Sequence, residues 1–131
     1  MNTFAQLDSE NKVIKILVIP DEQVNRGADY LINDMGLSGN WLACDSNSWR
    51  GKRRDGTSGI AFRKNYPLIG SYYDTVTDSF WEPKPLDYPS WILDSDGGYW
   101  KPPVDKPIGG LNEGMKYQWD ESSVSWIQVP L

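Results

Sequence analysis

The sequence predicts a mainly β protein of the α+β class. An N-terminal β-hairpin and one helix are followed by short aromatic β-hairpins joined by Pro-rich straps. Two apolar segments flank an early turn, a single segment has helical periodicity, and an Asp-then-aromatic unit recurs in the C-terminal half. At 131 residues one domain is expected, with a hairpin and helix in 1–37, a basic loop region in 38–71 and hairpin repeats in 72–131.

Residues 4–8 and 13–19 predict the two strands of the N-terminal hairpin. The second segment is apolar and rich in β-branched residues, which favours a strand. Ser9, Glu10 and Asn11 lie between the two segments, and short polar side chains such as Ser and Asn bond readily to nearby main chain in turns.

A helix is predicted over residues 22–35, with Asp21 as its N-cap and Gly36 as its stop. Gly27 weakens the pattern, because glycine disfavours a helix interior. We expect the helix to pack on the sheet through an apolar stripe formed by Val24, Ala28, Leu31, Ile32 and Met35.

An internal repeat dominates the C-terminal half. In each copy an apolar strand ends at Asp, and an aromatic residue follows the turn: Asp74 to Trp81, Asp94 to Trp100 and Asp120 to Trp126, at spacings of 7, 6 and 6. The N-terminal hairpin is a distant fourth copy, with Asp8. We expect each Asp to accept main-chain N–H groups in its turn, and each ring to cover a cross-strand neighbour. Because an isolated hairpin is marginal in water, the units must pack on one another or on a partner.

Two connectors, 82–89 and 102–107, are rich in Pro. Proline cannot donate to a strand ladder and favours extended geometry. The connectors therefore predict semi-rigid straps that run over a surface.

The tryptophans allow two interpretations. The five in the repeats are favoured as the core of a small all-β region, and the alternative is exposed platforms for sugar rings or a protein partner. These five are Trp81, Trp91, Trp100, Trp119 and Trp126. Trp41 and Trp49 precede the repeats, in a segment that predicts a long loop with a possible strand at 41–44, and we expect both rings to be exposed.

A basic cluster lies in residues 50–64, where six cations accompany a single acid, Asp55. The cations are Arg50, Lys52, Arg53, Arg54, Arg63 and Lys64. One interpretation is a solvated loop, and the other is docking onto an acidic protein surface, because Arg binds carboxylates in bidentate fashion. Nucleic acid is not expected as a partner, because the net charge is −5 and the acidic remainder repels phosphate.

No catalytic residue, metal or cofactor is predicted. The chain has no His, so Cys44 and the Ser residues have no imidazole base. Residues 94–98 faintly resemble a calcium loop but lack its remaining ligands. Two of the turn acids could in principle hydrolyse a glycoside, but nothing singles out such a pair, so an enzyme is not expected.

The N-terminus lacks the basic and apolar regions of a signal peptide, and the apolar run 16–20 is too short to span a membrane. The lone Cys44 forms no internal disulfide. Synthesis in a cytoplasm, with no membrane partner, is expected.

Several segments resemble a family of small proteins of marine bacteriophages, notably cyanophages. Arg63-Lys64-Asn65-Tyr66 and the following residues to Asp74 are similar to a family segment, as are Tyr88-Pro89-Ser90-Trp91 and Tyr117-Gln118-Trp119-Asp120 with Trp126. The opening segment 4–8 also fits, whereas 38–59 is least alike. The likeness spans most of the chain.

The resemblance implies a virion structural protein, such as a capsid decoration protein or a tail component. Its expected partners are other virion proteins, such as the major capsid protein or tail components, with a homo-oligomer possible. An alternative is a carbohydrate-binding module that recognises a host-surface glycan, for which the density of Trp and Tyr argues. A third hypothesis is a regulator that is made during infection and stays outside the particle.

Overall fold

A computed structural model describes residues 2–131. Strands hold 35% of the residues and helical turns 8%, which confirms the mainly β class. The strands are β1 Thr3–Leu7, β2 Val13–Val18, β3 Asn40–Cys44, β4 Ser48–Trp49, β5 Lys52–Arg53, β6 Tyr72–Asp74, β7 Ser79–Trp81, β8 Ile92–Asp94, β9 Tyr99–Lys101, β10 Met115–Asp120 and β11 Ser125–Pro130.

The chain divides into two compact units. One holds the described residues up to Pro83 together with Asp94–Tyr99, and the other holds Lys84–Leu93 and Trp100–Leu131. The expectation of a single domain stays a prediction.

A three-stranded antiparallel sheet of order β2-β1-β3 organises the first unit. The predicted hairpin β1–β2 and the possible strand at 41–44 are both confirmed. The central strand β1 is buried on both faces, because its alternating side chains enter two separate cores. One core contains Ala5, Leu7, Val13, Cys44 and Phe80, and the other contains Phe4, Ile19, Leu31 and Trp41.

The predicted continuous helix over 22–35 is wrong. The segment forms a 3₁₀ turn at Asp21–Gln23 and a π-type turn at Tyr30–Asp34. Gly27 separates them with a left-handed φ of 57°, and a Cβ there would lie 3.3 Å from Cζ of Phe4. The chain thus uses glycine to approach the sheet closely, which a regular helix cannot do.

The other predictions for residues 21–36 have different outcomes. Asp21 makes no side-chain cap, and its carboxylate accepts a hydrogen bond from Asn2 instead. The predicted packing stripe is confirmed at Leu31, which is fully buried against the sheet, but is wrong at Ile32 and Met35, which are 42% and 50% exposed because the regular helix does not form. Gly36 follows the turns with a φ of 69°.

The predicted main-chain bonds are confirmed for Asp8, Asp74 and Asp94, whereas Asp120 accepts a side-chain hydroxyl instead. Asp8 accepts the main-chain N–H of Glu10 at 2.8 Å, Asp74 accepts that of Val76 at 3.0 Å, and Asp94 accepts that of Asp96 at 3.0 Å. Asp120 accepts the hydroxyl of Ser123 at 2.5 Å. These carboxylates therefore stabilise the local main chain.

The strand register corrects the first repeat. Tyr73 lies opposite Phe80 in β6–β7, and Trp119 lies opposite Trp126 in β10–β11. Phe80, six residues after Asp74, is therefore the counterpart of Trp126, and Trp81 follows it. Phe80 is fully buried and joins the β6–β7 hairpin to the core of the three-stranded sheet.

The second unit is built on the β10–β11 hairpin. Trp119 and Trp126 contact edge to face across it, with ring centroids 5.4 Å apart. The connector that begins at residue 102 runs beside the hairpin, since the carbonyl of Val104 accepts the indole N–H of Trp126 at 2.8 Å and that of Gly109 accepts the phenol of Tyr117 at 2.6 Å. Residues 102–107 form neither helix nor strand, and the extended geometry of the strap stays a prediction.

Truncating Phe80 tests the role of this ring. We expect Phe80→Ala to lower the free energy of unfolding by about 3–5 kcal/mol, because it removes the largest side chain of a closed core. Val76→Ala, at a position 91% exposed in the same hairpin loop, should change it by less than about 0.5 kcal/mol. Urea denaturation of both variants measures the difference, and equal stabilities would contradict this role.

Candidate binding surface

The hairpin β4–β5 presents part of the basic cluster. Its two-residue turn places Arg50 and Gly51 at φ values of 49° and 81°, so both adopt the left-handed conformation that tight hairpins favour. A Cβ on Gly51 would lie 2.9 Å from the carbonyl oxygen of Asp96, so glycine is needed there for space as well. The long loop predicted around this hairpin is therefore wrong in part, because Ser48–Trp49 and Lys52–Arg53 pair as strands.

Arg50 is held inside the first unit. Its guanidinium donates to Glu82 at 2.9 and 3.2 Å and lies over the rings of Trp49 and Tyr99, 4.8 and 4.3 Å from their centroids. The hydrogen bonds to Glu82 raise the pKa of Arg50 further above its ordinary value. Arg50 thus contributes to the scaffold, and its charge is neutralised locally.

Arg63 has a similar internal role. It donates to Asp78 at 2.9 Å and to the carbonyl of Ala43 at 2.6 Å. Asp78 also accepts the phenol of Tyr73 at 2.5 Å, and this bond together with Arg63 lowers the pKa of the Asp78 carboxyl. The ammonium of Lys64 donates to the carbonyl of Ser95. Neither Arg63 nor Lys64 is therefore an uncommitted docking cation.

Asn65 ties three segments of this unit together. Its amide nitrogen faces three main-chain carbonyls, those of Phe80, Gly97 and Gly98, at 2.8, 2.9 and 3.3 Å. Its amide oxygen accepts the N–H of Arg50 at 2.7 Å. Only 3% of Asn65 is exposed, so these bonds form where water cannot replace them.

The three remaining cations and a neighbouring tryptophan form what we call the cationic corner: Trp49, Lys52, Arg53 and Arg54. All four are exposed, Trp49 by 49%. Arg53 donates to the carbonyl of Ser58 at 2.8 Å. Across residues 2–131, the side chains of Lys52 and Arg54 have no hydrogen bond or ion pair, so their charges face solvent.

A pocket of about 170 Å³ adjoins the cationic corner. Its walls include Trp49, Tyr66 and Leu68, and Arg54 supplies a cation. Burial raises the pKa of Tyr66, which keeps its phenol protonated. Since typical ligand pockets exceed about 300 Å³, this one suits a single side chain or one sugar ring.

Trp41 was predicted to be exposed, and this is wrong. It is 7% exposed, packs in the core that contains Phe4 and Leu31, and donates its indole N–H to Ser38 at 3.2 Å. Its place on β3 opposite Gln6 turns it toward that core. The exposure predicted for Trp49 is confirmed.

The five tryptophans of the repeats are mostly half-buried. Trp119 is buried, with 9% exposure, whereas Trp81, Trp91, Trp100 and Trp126 are intermediate. Trp91 stacks on Tyr88 with centroids 4.7 Å apart, and Lys84 lies over Trp100. The core interpretation therefore holds fully only for Trp119.

Other chemistry is limited in the described part of the chain. Residues 2–131 contain no group of three or more Cys, Asp or Glu placed to hold a metal ion. Burial raises the pKa of the Cys44 thiol to about 12, which leaves it protonated. Within the same range, every helix is too short and polar to cross a bilayer.

Comparisons with protein-family models, with curated proteins and with solved structures find no match to this chain. The resemblance to marine bacteriophage proteins therefore stays a prediction. The sequence did not identify Asn65, Glu82 or Asp78 as partners of the basic cluster, and it gave no sign of the pocket walls at Tyr66 and Leu68. Residues 63–66 hold the turns of the first unit in place.

We expect Asn65→Asp to lower the free energy of unfolding by about 3 kcal/mol at neutral pH, because a carboxylate would face three carbonyls. Its pKa in the folded state would be raised, so the loss should be smallest below the unfolded pKa of about 3.9 and grow as the pH rises. Asn112→Asp, at an exposed position, is the matched control. Urea denaturation at several pH values measures both, and a loss of stability independent of pH would contradict this explanation.

Proposed function

We propose that this chain is a non-enzymatic structural protein of a bacteriophage particle. It acts as an accessory or decoration protein, on the capsid exterior or elsewhere in the particle, and it binds other virion proteins through the cationic corner. The observation that carries the proposal is the exposed group of Trp49, Lys52, Arg53 and Arg54 on one short hairpin of an acidic chain.

The charge distribution favours an acidic protein as the partner. The chain has a net charge of −5, yet the cationic corner gathers three cations. The carboxylate of the nearby Asp55 accepts hydrogen bonds from Thr57 and Asn47, and the bonds from Thr57 lower the pKa of this carboxyl. An acidic protein surface can approach the corner locally, whereas a long polyanion would meet the repulsion of the whole chain.

The turn carboxylates support a role without catalysis. Asp8, Asp74 and Asp94 accept main-chain N–H groups, and Asp120 accepts a hydroxyl. Each occupies the same place in a hairpin, where its lone pairs are used for the turn. Aromatic and Arg side chains, by contrast, are enriched at protein interfaces, and Trp49 and Arg54 are such residues.

Charge reversal at the corner tests the docking role. We expect Arg54→Glu to reduce the copy number of the protein in purified particles at least severalfold, because it places a carboxylate against an acidic partner surface. Lys116→Glu reverses an exposed charge on β10, away from the corner in sequence, and should leave the copy number unchanged. Quantitative mass spectrometry of the particles measures both. Equal incorporation of the two variants would rule out a docking role for the cationic corner. Absence of the wild-type protein from particles would rule out the virion assignment.

A carbohydrate-binding module is the second candidate, and the pocket beside Trp49 favours it. An exposed indole with a neighbouring Arg and phenol is a combination that can hold one sugar ring. We expect a host-surface polysaccharide to shift the Trp fluorescence of the wild-type protein, and Trp49→Ala to weaken its binding at least tenfold. Val76→Ala provides a control for folding. No shift with any host glycan would remove this candidate.

A further inference from the structure

The outer edge of β2 carries unused main-chain groups. Thr3 lies opposite Val18, and the N–H of Ile19 donates to the carbonyl of Asn2 at 2.8 Å. In an antiparallel pair, hydrogen-bonded and non-bonded positions alternate, so Leu17 and Lys15 point their main-chain groups toward β1. Ile16 and Val18 therefore point their N–H and C=O groups outward.

Part of this edge is already covered. The N–H of Val13 donates to the carbonyl of Ser71 at 2.8 Å, and its carbonyl accepts the N–H of Gly70 at 2.9 Å. Beyond Val13 no main-chain bond is made to the outward groups of Ile16 and Val18 anywhere in residues 2–131. The open stretch is short, but an open strand edge is a template for another strand.

The side chains along the open stretch are apolar and accessible. Val18 is 67% exposed and Ile14 is 48% exposed, while Ile16 and Leu17 are half-buried against the two cores. Lys15 is the one charged residue of β2. An apolar edge of this kind suits β-strand addition, in which main-chain bonds and apolar side chains bind together.

The two ends of this edge carry charges of opposite sign, so two antiparallel copies of it are complementary. Lys12 and Lys15 lie at its beginning, and Asp21 and Glu22 follow its end, and all four are exposed. An antiparallel copy of the strand brings the basic end of one copy toward the acidic end of the other, at two symmetric places. A parallel copy would bring like charges together, which disfavours it.

We propose that two copies of this chain associate through antiparallel pairing of their β2 edges, centred on Leu17. In this register Ile16 of each copy bonds to Val18 of the other. The strand pairing ends before Val13, where residues 70–72 cover the edge, so Lys12 of one copy approaches Glu22 of the other only through its side chain. The two copies are related by a twofold axis, as in most homodimers. The contact is short, so the dimer is weak and depends on concentration. The β2 edge does not include any residue of the cationic corner, so this dimer and the proposed function are independent.

Cysteine crosslinking tests the register. Leu17 of the two copies forms a non-bonded antiparallel pair, with Cα atoms about 4.5 Å apart, within the range for a disulfide. We expect Leu17→Cys to give a covalent dimer under mild oxidation, detected on a non-reducing gel. Val18→Cys should not, because the two Val18 positions lie two residues out of register, about 7–8 Å apart and too far for a disulfide. Cys44 is buried with a raised pKa and serves as the internal control. A monomeric Leu17→Cys protein, or equal crosslinking of both variants, would overturn the proposal.

A charge exchange tests the pairing without touching the core. We expect Lys12→Glu to raise the dissociation constant of the dimer about threefold to tenfold in low salt, since it breaks two exposed symmetric pairs. Combining it with Glu22→Lys should restore the wild-type constant. Sedimentation equilibrium of the full chain measures both. If the wild-type protein stays monomeric at every concentration reached, or if the double variant associates no better than the single one, the proposal is wrong.

Discussion

The buried amide of Asn65 is the interaction on which the rest of the first unit depends. Three carbonyls and one N–H converge on it from the β4–β5 turn, the end of β7 and the turn before β9. A buried carbonyl without a partner is costly, so the amide helps to hold these segments in their relative positions, together with the N–H of Glu82, which also donates to the carbonyl of Gly98 at 2.8 Å. The Arg50 and Glu82 pair lies between the same segments and reinforces them. The cationic corner is presented on a fixed hairpin for this reason.

Much of the fold could be predicted from the sequence, because its signals are local. The apolar, β-branched composition of residues 13–19 and the turn residues before them predicted the hairpin of β1 and β2, and the turn preference of Asp predicted the turns at Asp74 and Asp94. The same chemistry occurs at Asp45, whose carboxylate accepts the N–H of Asn47, although no repeat drew attention to it. The predicted helix fails at Gly27, because this residue lies close to the ring of Phe4, which belongs to β1. The periodicity of the segment itself does not show that contact.

The site was less predictable, because its partners are distant in sequence. The cluster of six cations is visible in the sequence, but the acids that neutralise two of them are not. Arg50 meets Glu82 and Arg63 meets Asp78, 32 and 15 residues away. Trp41 and Trp49 likewise look alike in the sequence, and only strand placement separates a core ring from an exposed one. Pairing between residues distant in sequence depends on the topology of the fold, and local sequence periodicity does not predict that topology.

The same topology separates paired cations from solvent-exposed ones within one stretch of sequence. Arg50 and Arg63 lie beside acids and rings and hold hairpins together, whereas Lys52 and Arg54, which lie between them in the sequence, face solvent. An exposed cation contributes little to the stability of the fold. Since neighbouring cations repel one another, their grouping in the cationic corner needs an explanation other than folding. A partner surface supplies one, because charges that are unpaired in the free protein can be paired on docking, and they steer the approach. On the proposed function, the neutralised cations stabilise the scaffold and the exposed ones are those that a partner would pair with.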